Sequence, residues 1–219
     1  MSKLVLYGMD ISPPVHACLL TLRALELEFE YIEVNLVAGE QKTEEFLQKN
    51  PQHTIPLLED DGTFIWDSHA ICSYLVDKFG QSDDLYPKDL VKRAHVQQRL
   101  YFDASVLFMP LKNICGPFFY EKVTEVPQEK INNIRDGYKH LETFLGDNPY
   151  VTGDTLTIAD FCCAATVSSL PAFLEIDPEI YPKITAWLAR LSELPYYQES
   201  NADGAEKYIS IFKDALTIV

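Results

Sequence analysis

The stretch Asp10-Ile-Ser-Pro-Pro-Val-His-Ala-Cys18 marks the corner at which the chain passes from a short apolar run, Leu4–Tyr7, into a helical pattern. Apolar residues recur at intervals of three and four from Val15 to Leu25, which predicts a helix. Proline fits the first turn of a helix, because its missing N–H would have no partner there. Ser12 stands just before both prolines. It is either an ordinary N-cap or a hydroxyl that serves another purpose.

The segments around this corner alternate between strand and helix patterns. Asp60-Asp-Gly62 separates two runs of β-forming residues and is a strong hairpin signal. The predicted elements are strands over 3–7 and 29–36, a helix over 43–49, hairpin strands over 56–59 and 63–66, and a helix over 68–79. Together with the helix after the corner, they give the order β-α-β-α-β-β-α. That order is typical of a thioredoxin-like α/β domain, which we expect over residues 1–80.

The rest of the chain reads as helical. Residues 81–90 form a polar, proline-containing linker, and no strand pattern outweighs a helical one over residues 91–219. Pro110 should kink or interrupt the long helical stretch 89–119. Further helices are predicted over 128–145, 157–170, 180–193 and 205–215. The predicted fold class is therefore α/β plus all-α, with a thioredoxin-like domain followed by a helical-bundle domain.

Thr157-Ile-Ala-Asp160 has the spacing of a capping box, with aspartate in place of the usual glutamate. It precedes a run with few charges, Phe161-Cys-Cys-Ala-Ala-Thr166. The pattern predicts the start of a buried helix. We interpret Asp160 as a structural residue rather than a catalytic one.

The charge and the cysteines exclude several classes of protein. The 219 residues carry a formal net charge of −15, which argues against nucleic acid and against anionic membranes as partners. The five cysteines are odd in number and form no C-x-x-C, so neither a disulfide framework nor a metal site is expected. Reduced thiols, the lack of a signal-peptide pattern and the absence of a long apolar run all predict a cytoplasmic protein.

The corner also limits the chemistry. In redox members of the thioredoxin-like fold this position carries Cys-Pro-x-Cys, whereas here it reads Ser12-Pro13-Pro14-Val15. Dithiol exchange at the corner is thereby excluded, and a thiol–disulfide reductase is a weak hypothesis. A hydroxyl at the positive end of a helix is instead suited to hold the thiolate of another molecule.

Two further motifs carry candidate ligand contacts. In this fold the proline that opens the third strand, here Pro56, is cis and leaves the backbone of Ile55 free to pair with an extended peptide. His53 is either an exposed loop histidine or a ligand contact. Its position three residues before Pro56 favours a ligand contact. At Asp67-Ser68 a helix begins, where backbone N–H groups and a hydroxyl can accept a carboxylate while Asp67 holds an ammonium. The alternative is that both residues are simply N-caps.

One ligand would satisfy all three places: a molecule with a free α-amino acid at one end, a thiol in the middle and a carboxylate at the other. That ligand is glutathione. The motifs Ser12-Pro-Pro-Val15, Asn50–Pro56, Asp67–Ile71, Leu85-Tyr-Pro-Lys-Asp89 and Thr157–Phe161 resemble, in this order and spacing, the cytosolic glutathione transferases. The resemblance is to the insect epsilon class, with the delta class as a close relative.

The resemblance implies a set of roles for individual residues. Ser12 would be the catalytic hydroxyl, and glutathione would be a co-substrate with no other cofactor. Many relatives have arginine at the place of His16 and histidine at the place of Gln41. Unlike a protonated histidine, Gln41 carries no charge, although it can still donate a hydrogen bond. The implied glutathione-binding residues are Ser12, Leu36, Gln41, His53, Thr54, Ile55, Pro56, Asp67, Ser68 and His69. The family acts as a homodimer.

The second substrate should bind between the domains. The expected pocket residues are Phe108, Leu111, Lys112, Cys115, Phe118, Phe119, Tyr208 and Phe212, and the alternative for each is ordinary core. An apolar wall with few polar groups selects for apolar electrophiles, with Lys112 as the polar discriminator. The predicted function is conjugation of glutathione to such compounds in detoxification. Dehydrochlorination and peroxide reduction are related activities, and a low-turnover carrier of apolar ligands or a member of a complex is the alternative.

Overall fold

The computed structural model describes residues 3–213 and 215–219. Residues 1 and 2 of the predicted first domain, and residue 214 of the helix predicted over 205–215, lie outside the described residues. The strands are β1 Leu4–Gly8, β2 Glu30–Glu33, β3 Leu57–Asp60, β4 Thr63–Trp66, β5 Glu125–Val126 and β6 Thr217–Ile218. The helices are α1 Pro13–Ala24, α2 Glu44–Lys49, α3 Ser68–Phe79, α4 Leu90–Phe102, α5 Phe108–Glu121, α6 Gln128–Leu145, α7 Ile158–Val167, α8 Pro182–Ser192 and α9 Asp203–Phe212.

The first domain has a four-stranded mixed sheet in the order β2-β1-β3-β4. Strand β1 pairs in parallel with β2 and antiparallel with β3, which forms the predicted hairpin with β4. Successive side chains of a strand face opposite sides of the sheet. Leu4 and Leu6 accordingly join the core shared with α1 and α3, whereas Val5 and Tyr7 pack with Phe46 of α2. The predicted thioredoxin-like arrangement is confirmed.

The linker between the domains is tied to both of them. The Arg93 guanidinium donates to the Pro87 carbonyl at 2.6 Å and to Asp77 Oδ1 at 2.8 Å. The Ile158 amide donates to the Leu85 carbonyl at 2.9 Å, at the start of α7. These contacts hold the linker against α3 on one side and the helical domain on the other.

The long helical stretch is interrupted one turn earlier than expected. Helix α4 ends at Phe102, a π-helical turn covers Asp103–Leu107, and α5 begins at Phe108. Pro110 therefore lies in the first turn of α5, where a missing N–H is tolerated, and the break precedes it. Pro117 is the proline inside α5. The expected break at Pro110 itself was wrong by this one turn.

The second domain also contains a short strand pair that the sequence did not predict. Strands β5 and β6 run parallel, with Thr217 N–H donating to the Thr124 carbonyl at 2.9 Å and Val219 N–H to the Val126 carbonyl at 3.0 Å. Two residues per strand are too few to show the alternation by which a strand is predicted. The pair fastens the end of the chain beside the start of α6.

The predicted capping box is present at the start of α7. Asp160 is fully buried, and its Oδ2 accepts from the Thr157 amide at 2.9 Å and the Thr157 hydroxyl at 3.1 Å. Its Oδ1 accepts from the Val151 amide at 2.9 Å and from Trp187 Nε1 at 3.0 Å, so it also joins a loop and helix α8. Helix α7 is buried along its length and packs against α1 of the first domain. In the described parts of the chain, no helix combines the length and apolar character needed to cross a membrane.

Candidate active site

A cavity of about 490 Å³ lies between the two domains. The first domain contributes the Ser12 corner, the loop before β3 and the start of α3. The second contributes part of the π-helical turn, much of α5, two residues of α7 and one residue of α9. The three motifs that the sequence singled out therefore meet in one place, opposite an apolar wall from the second domain.

Ser12 is the N-cap residue of α1, but its side chain does not cap the helix. An N-cap side chain normally accepts from the N–H of the second or third helical residue. The second is Pro14, which has no N–H, and the third is Val15, whose N–H donates to the Ser12 carbonyl at 2.9 Å. Pro14 and the engaged Val15 N–H thus leave the hydroxyl of the half-buried Ser12 available at the cavity wall, at the positive end of a helix.

The loop before β3 is held from within by Asn50. This residue is buried, and its Nδ2 donates to the carbonyl and the hydroxyl of Thr54 at 2.9 and 3.0 Å. Its Oδ1 accepts from the Gln52 amide at 2.9 Å. The Ile55–Pro56 peptide bond is cis, as the fold led us to expect. The hydrogen bonds of Asn50 hold this loop together, and its cavity-lining residues are Gln52, His53, Thr54, Ile55 and Pro56.

The start of α3 brings a second set of polar groups to the cavity. Asp67 caps the helix, since its Oδ1 accepts from the amides of His69 and Ala70 at 2.9 and 3.4 Å. The backbone of Asp67 has a positive φ of 73°, and Ser68 is buried at the cavity wall. The N-cap alternative is thus true for Asp67. Capping occupies one oxygen of its carboxylate and leaves the other for a ligand.

His69 links this helix start to the second domain. Its Nδ1 lies 3.1 Å from Asp67 Oδ1 and its Nε2 lies 2.9 Å from Asp103 Oδ2. Burial by itself would lower the pKa of His69, but the hydrogen bonds to Asp103 and Asp67 outweigh it and raise the pKa to about 10. His69 is therefore a cation at neutral pH. Asp103 is buried in the π-helical turn, so the bridge also joins the two domains.

This bridge should make stability depend on pH in a definite direction. The folded pKa of His69, about 10, lies above its ordinary value of 6.5. The stabilisation is therefore complete below about pH 6.5, declines above it, and is lost as the pH passes about 10. We expect His69→Gln to lower the free energy of unfolding by about 1–3 kcal/mol at about pH 6 and by almost nothing near pH 10. Urea unfolding of both proteins across this range measures the difference, and a difference independent of pH would contradict the charge assignment.

Comparison with known proteins agrees with this geometry. The family model for the "Glutathione S-transferase, N-terminal domain" matches residues 2–77, and that for the "Glutathione S-transferase, C-terminal domain" matches residues 93–195. Glutathione S-transferase 1 of Manduca sexta is 44% identical over 203 residues, which are 92% of this chain and 93% of that protein.

The chain belongs to the glutathione S-transferase family.

Solved structures place this transferase more closely. An epsilon-class glutathione S-transferase from the housefly, Musca domestica, is 55% identical, with a TM-score of 0.96 over 99% of this chain and 100% of that chain. A glutathione transferase homologue of Drosophila mojavensis with bound glutathione is 50% identical, with a TM-score of 0.97 over all of both chains. The predicted family, fold class and enzyme type are confirmed, and so is the resemblance to the insect epsilon class.

Most of the residues predicted to bind glutathione line the cavity of this transferase. They are Ser12, Leu36, His53, Thr54, Ile55, Pro56, Asp67, Ser68 and His69. Gln41 does not line it: its side chain is buried, and its Nε2 donates to the Leu36 carbonyl at 3.4 Å. The structure therefore places Gln41 as a support for the loop that carries Leu36.

The predicted electrophile pocket divides in the same way. Phe108, Leu111, Lys112, Cys115, Phe119 and Tyr208 line the cavity. Phe118 and Phe212 do not: their ring centroids lie 4.8 Å apart in an aromatic cluster that also includes Phe173. Lys112 is exposed at the cavity rim. Burial raises the pKa of Tyr208, so its hydroxyl stays protonated and is a donor.

The sequence analysis missed several residues of this site. Asn50 stood inside a motif without a role, and Asp103 was not considered. A signal for Asp103 was available, because it is a single acid within the apolar stretch Leu100–Leu111. Other lining residues that were not predicted include the apolar Met9, Ile11, Val37, Met109 and Tyr120. These apolar residues carry no motif, and only the meeting of the two domains brings them together.

Proposed function

We propose that Ser12 donates a hydrogen bond to the sulfur of glutathione and thereby favours its thiolate, which then attacks an apolar electrophile. The observation that carries this proposal is the Ser12 hydroxyl, which lies at the cavity wall at the positive end of α1 and makes no capping bond to that helix. With an aryl halide, a carbon–sulfur bond forms, the carbon–halogen bond breaks and halide leaves. The thiol proton goes to solvent.

The energy required of Ser12 is modest. A free thiol has a pKa of about 8.5, and lowering it by about two units takes about 2.7 kcal/mol. A hydrogen bond to a charged group contributes about 1.5–3 kcal/mol, and a helix N-terminus adds about 0.3–1 kcal/mol. A serine hydroxyl holds its own proton too tightly to act as a base, so it stabilises the thiolate by donation alone.

The polar residues of the first domain would orient glutathione. His53 would face the glycyl carboxylate, and the Ile55 backbone would pair with the cysteinyl unit. Ser68 and the cationic His69 suit the γ-glutamyl carboxylate, since a carboxylate is favoured both by a charge and by a helix N-terminus. Asp67, whose pKa is lowered mainly by its hydrogen bond with His69, would hold the ammonium group.

The apolar wall from α5 would hold the second substrate. Phe108, Leu111 and Phe119 offer apolar faces, and Tyr208 supplies a buried donor hydroxyl beside Cys115. Lys112 at the rim is the cationic group that an anionic part of a substrate would meet. We propose flat or chlorinated apolar electrophiles as the substrate class. Dehydrochlorination and peroxide reduction, which use the same thiolate, are further candidates.

The test is a conjugation assay beside glutathione calorimetry. We expect turnover of an activated aryl halide, glutathione affinity tighter than millimolar at neutral pH, and faster reaction of apolar electrophiles than of polar analogues. Lys112→Ala should slow anionic electrophiles relative to neutral ones, whereas Lys92→Ala, an exposed change on α4, should not. Millimolar or absent glutathione binding with no turnover would instead favour a carrier of apolar ligands.

We also propose a cytoplasmic homodimer in which residues 1–80 form the glutathione-binding domain, 81–90 the linker and 91–219 the domain that contributes the electrophile pocket. Large apolar side chains that are exposed on α4 support this homodimer, because a second copy of the chain would cover them. Leu90, Val91 and Tyr101 are 82%, 65% and 69% exposed in the isolated chain.

A further inference from the structure

His16 lies on α1, four residues after Ser12, and it does not belong to the cavity wall. Its side chain is 1% exposed, and its Nε2 lies 2.6 Å from the backbone carbonyl oxygen of Asp10. Burial lowers the pKa of His16, so the ring is neutral at pH 7. A carbonyl oxygen only accepts, and the ring proton is therefore on Nε2. This bond closes a loop of the chain, residues 10–16, around the corner that carries Ser12.

Gly204, in the first turn of α9, lies directly against this bond. A Cβ atom at position 204 would overlap both the Asp10 carbonyl oxygen and His16 Nε2. The backbone conformation of Gly204 is helical, so no positive φ calls for glycine there. The requirement is steric, because only a residue without a side chain allows α9 to pack this closely against the loop of residues 10–16.

Charged and polar groups on both sides of Gly204 also stabilise the contact between α9 and the loop of residues 10–16. Lys207 of α9 donates to Asp10 Oδ2 at 2.6 Å, and Arg23 of α1 pairs with Glu199 at 3.1 Å. The fully buried Asn201, just before α9, is a polar neighbour of the His16 ring. The loop around Ser12 is thus clamped between its own helix and the helix that carries Tyr208 to the electrophile side of the cavity.

We propose that His16 is a positioning residue for Ser12, and that with the Asp10 carbonyl and Gly204 it forms a corner lock that fixes the direction of the Ser12 hydroxyl. The inference rests on the proposed role of Ser12. Pro14 has no N–H for a cap bond, and the Val15 N–H donates to the Ser12 carbonyl. No bond to α1 therefore holds the hydroxyl, and its direction follows the backbone of the loop. The lock supplies that rigidity, and it makes the placement of α9 part of the thiolate site.

The test compares His16→Leu, which removes the donor at similar volume, with His16→Gln, whose side-chain N–H can reach the place of Nε2. The pKa of bound glutathione is read from the ultraviolet absorbance of its thiolate. In His16→Leu we expect this pKa to rise by about half to one unit and kcat to fall about three- to tenfold. The KM for glutathione should change less than about twofold, because its end groups are held by other loops. His16→Gln should restore most of both losses.

Gly204→Ala tests the other half of the lock, with Gly137→Ala on α6 as its matched control. We expect the same rise in thiol pKa in Gly204→Ala and none in Gly137→Ala, whose added methyl would meet a movable leucine side chain. Near-ultraviolet circular dichroism identifies variants that remain folded, and Gly204→Ala keeps the test valid if His16→Leu does not fold.

A folded His16→Leu or Gly204→Ala with an unchanged thiol pKa, beside a Ser12→Ala protein in which that pKa rises, overturns the lock and leaves the proposed function standing. An unchanged thiol pKa in Ser12→Ala overturns both. A purely structural role for His16 would lower the melting temperature without moving the thiol pKa, and that result also overturns the proposal.

Discussion

Replacing Ser12 with alanine is expected to lower kcat/KM for glutathione conjugation about 10- to 100-fold, the worth of one hydrogen bond to a charged group. The pKa of bound glutathione should rise by about one to two units for the same reason. Rate measurements across pH should therefore show that the loss shrinks at high pH, where the thiol ionises without help. Ser12→Thr, which retains a hydroxyl, should recover part of the activity.

The stability of the same variant separates the two interpretations of Ser12. Loss of a true N-cap would cost about 1 kcal/mol, yet the Ser12 side chain makes no capping bond. We therefore expect nearly unchanged melting of Ser12→Ala. Ser210→Ala, at an exposed position of α9, is the matched control and should alter neither rate nor stability. If Ser12→Ala were much less stable and left the thiol pKa unchanged, Ser12 would be an ordinary N-cap residue.

The largest effect on stability is expected at Asp160. Its carboxylate accepts from four donors, two of Thr157 and one each of Val151 and Trp187, and all are buried. Asp160→Ala leaves the Val151 and Thr157 amides and Trp187 Nε1 without a partner, and we expect a loss of about 3–5 kcal/mol. For a chain of this size that is a fall in melting temperature of about 6–20 °C, measurable by calorimetry.

Two comparisons make this expectation specific. Asp154→Ala removes a nearby exposed carboxylate and should leave the melting temperature almost unchanged. Asp160→Asn keeps one acceptor oxygen but turns an NH₂ group toward two donors, so it should lie between the wild type and Asp160→Ala. If Asp160→Ala melted like the wild type, the capping box would not be holding α7 and α8 together.

The pKa of Asp160 adds a dependence on pH. Burial raises it to about 6, although the hydrogen bonds act in the opposite direction. Because this value exceeds the ordinary 3.8, the native state binds the extra proton between these two pH values. The contribution of this carboxyl is therefore most favourable below about pH 3.8 and declines as the pH rises through about 6.

The sequence by itself determined most of the elements and the kind of site, because both depend on residues close together in the chain. The proline pair after Ser12, the Asp-Gly turn before β4 and the capping box at Thr157 each act within a few residues. Such signals set where a helix or strand begins whatever packs against it later. The β-α-β-α-β-β-α order and the spacing of three motifs were then enough to infer a glutathione site.

Only the tertiary structure decided which side chains meet across the domains. Asp103 reaches His69, Gly204 meets the His16–Asp10 bond, and both contacts join segments that are distant in the chain. Conversely, Gln41 turns into its own loop and Phe212 into an aromatic cluster, although their residue types suited the cavity equally well. Local patterns give the face of a helix but not the neighbour that covers it, because close packing is settled by the shapes of both partners together.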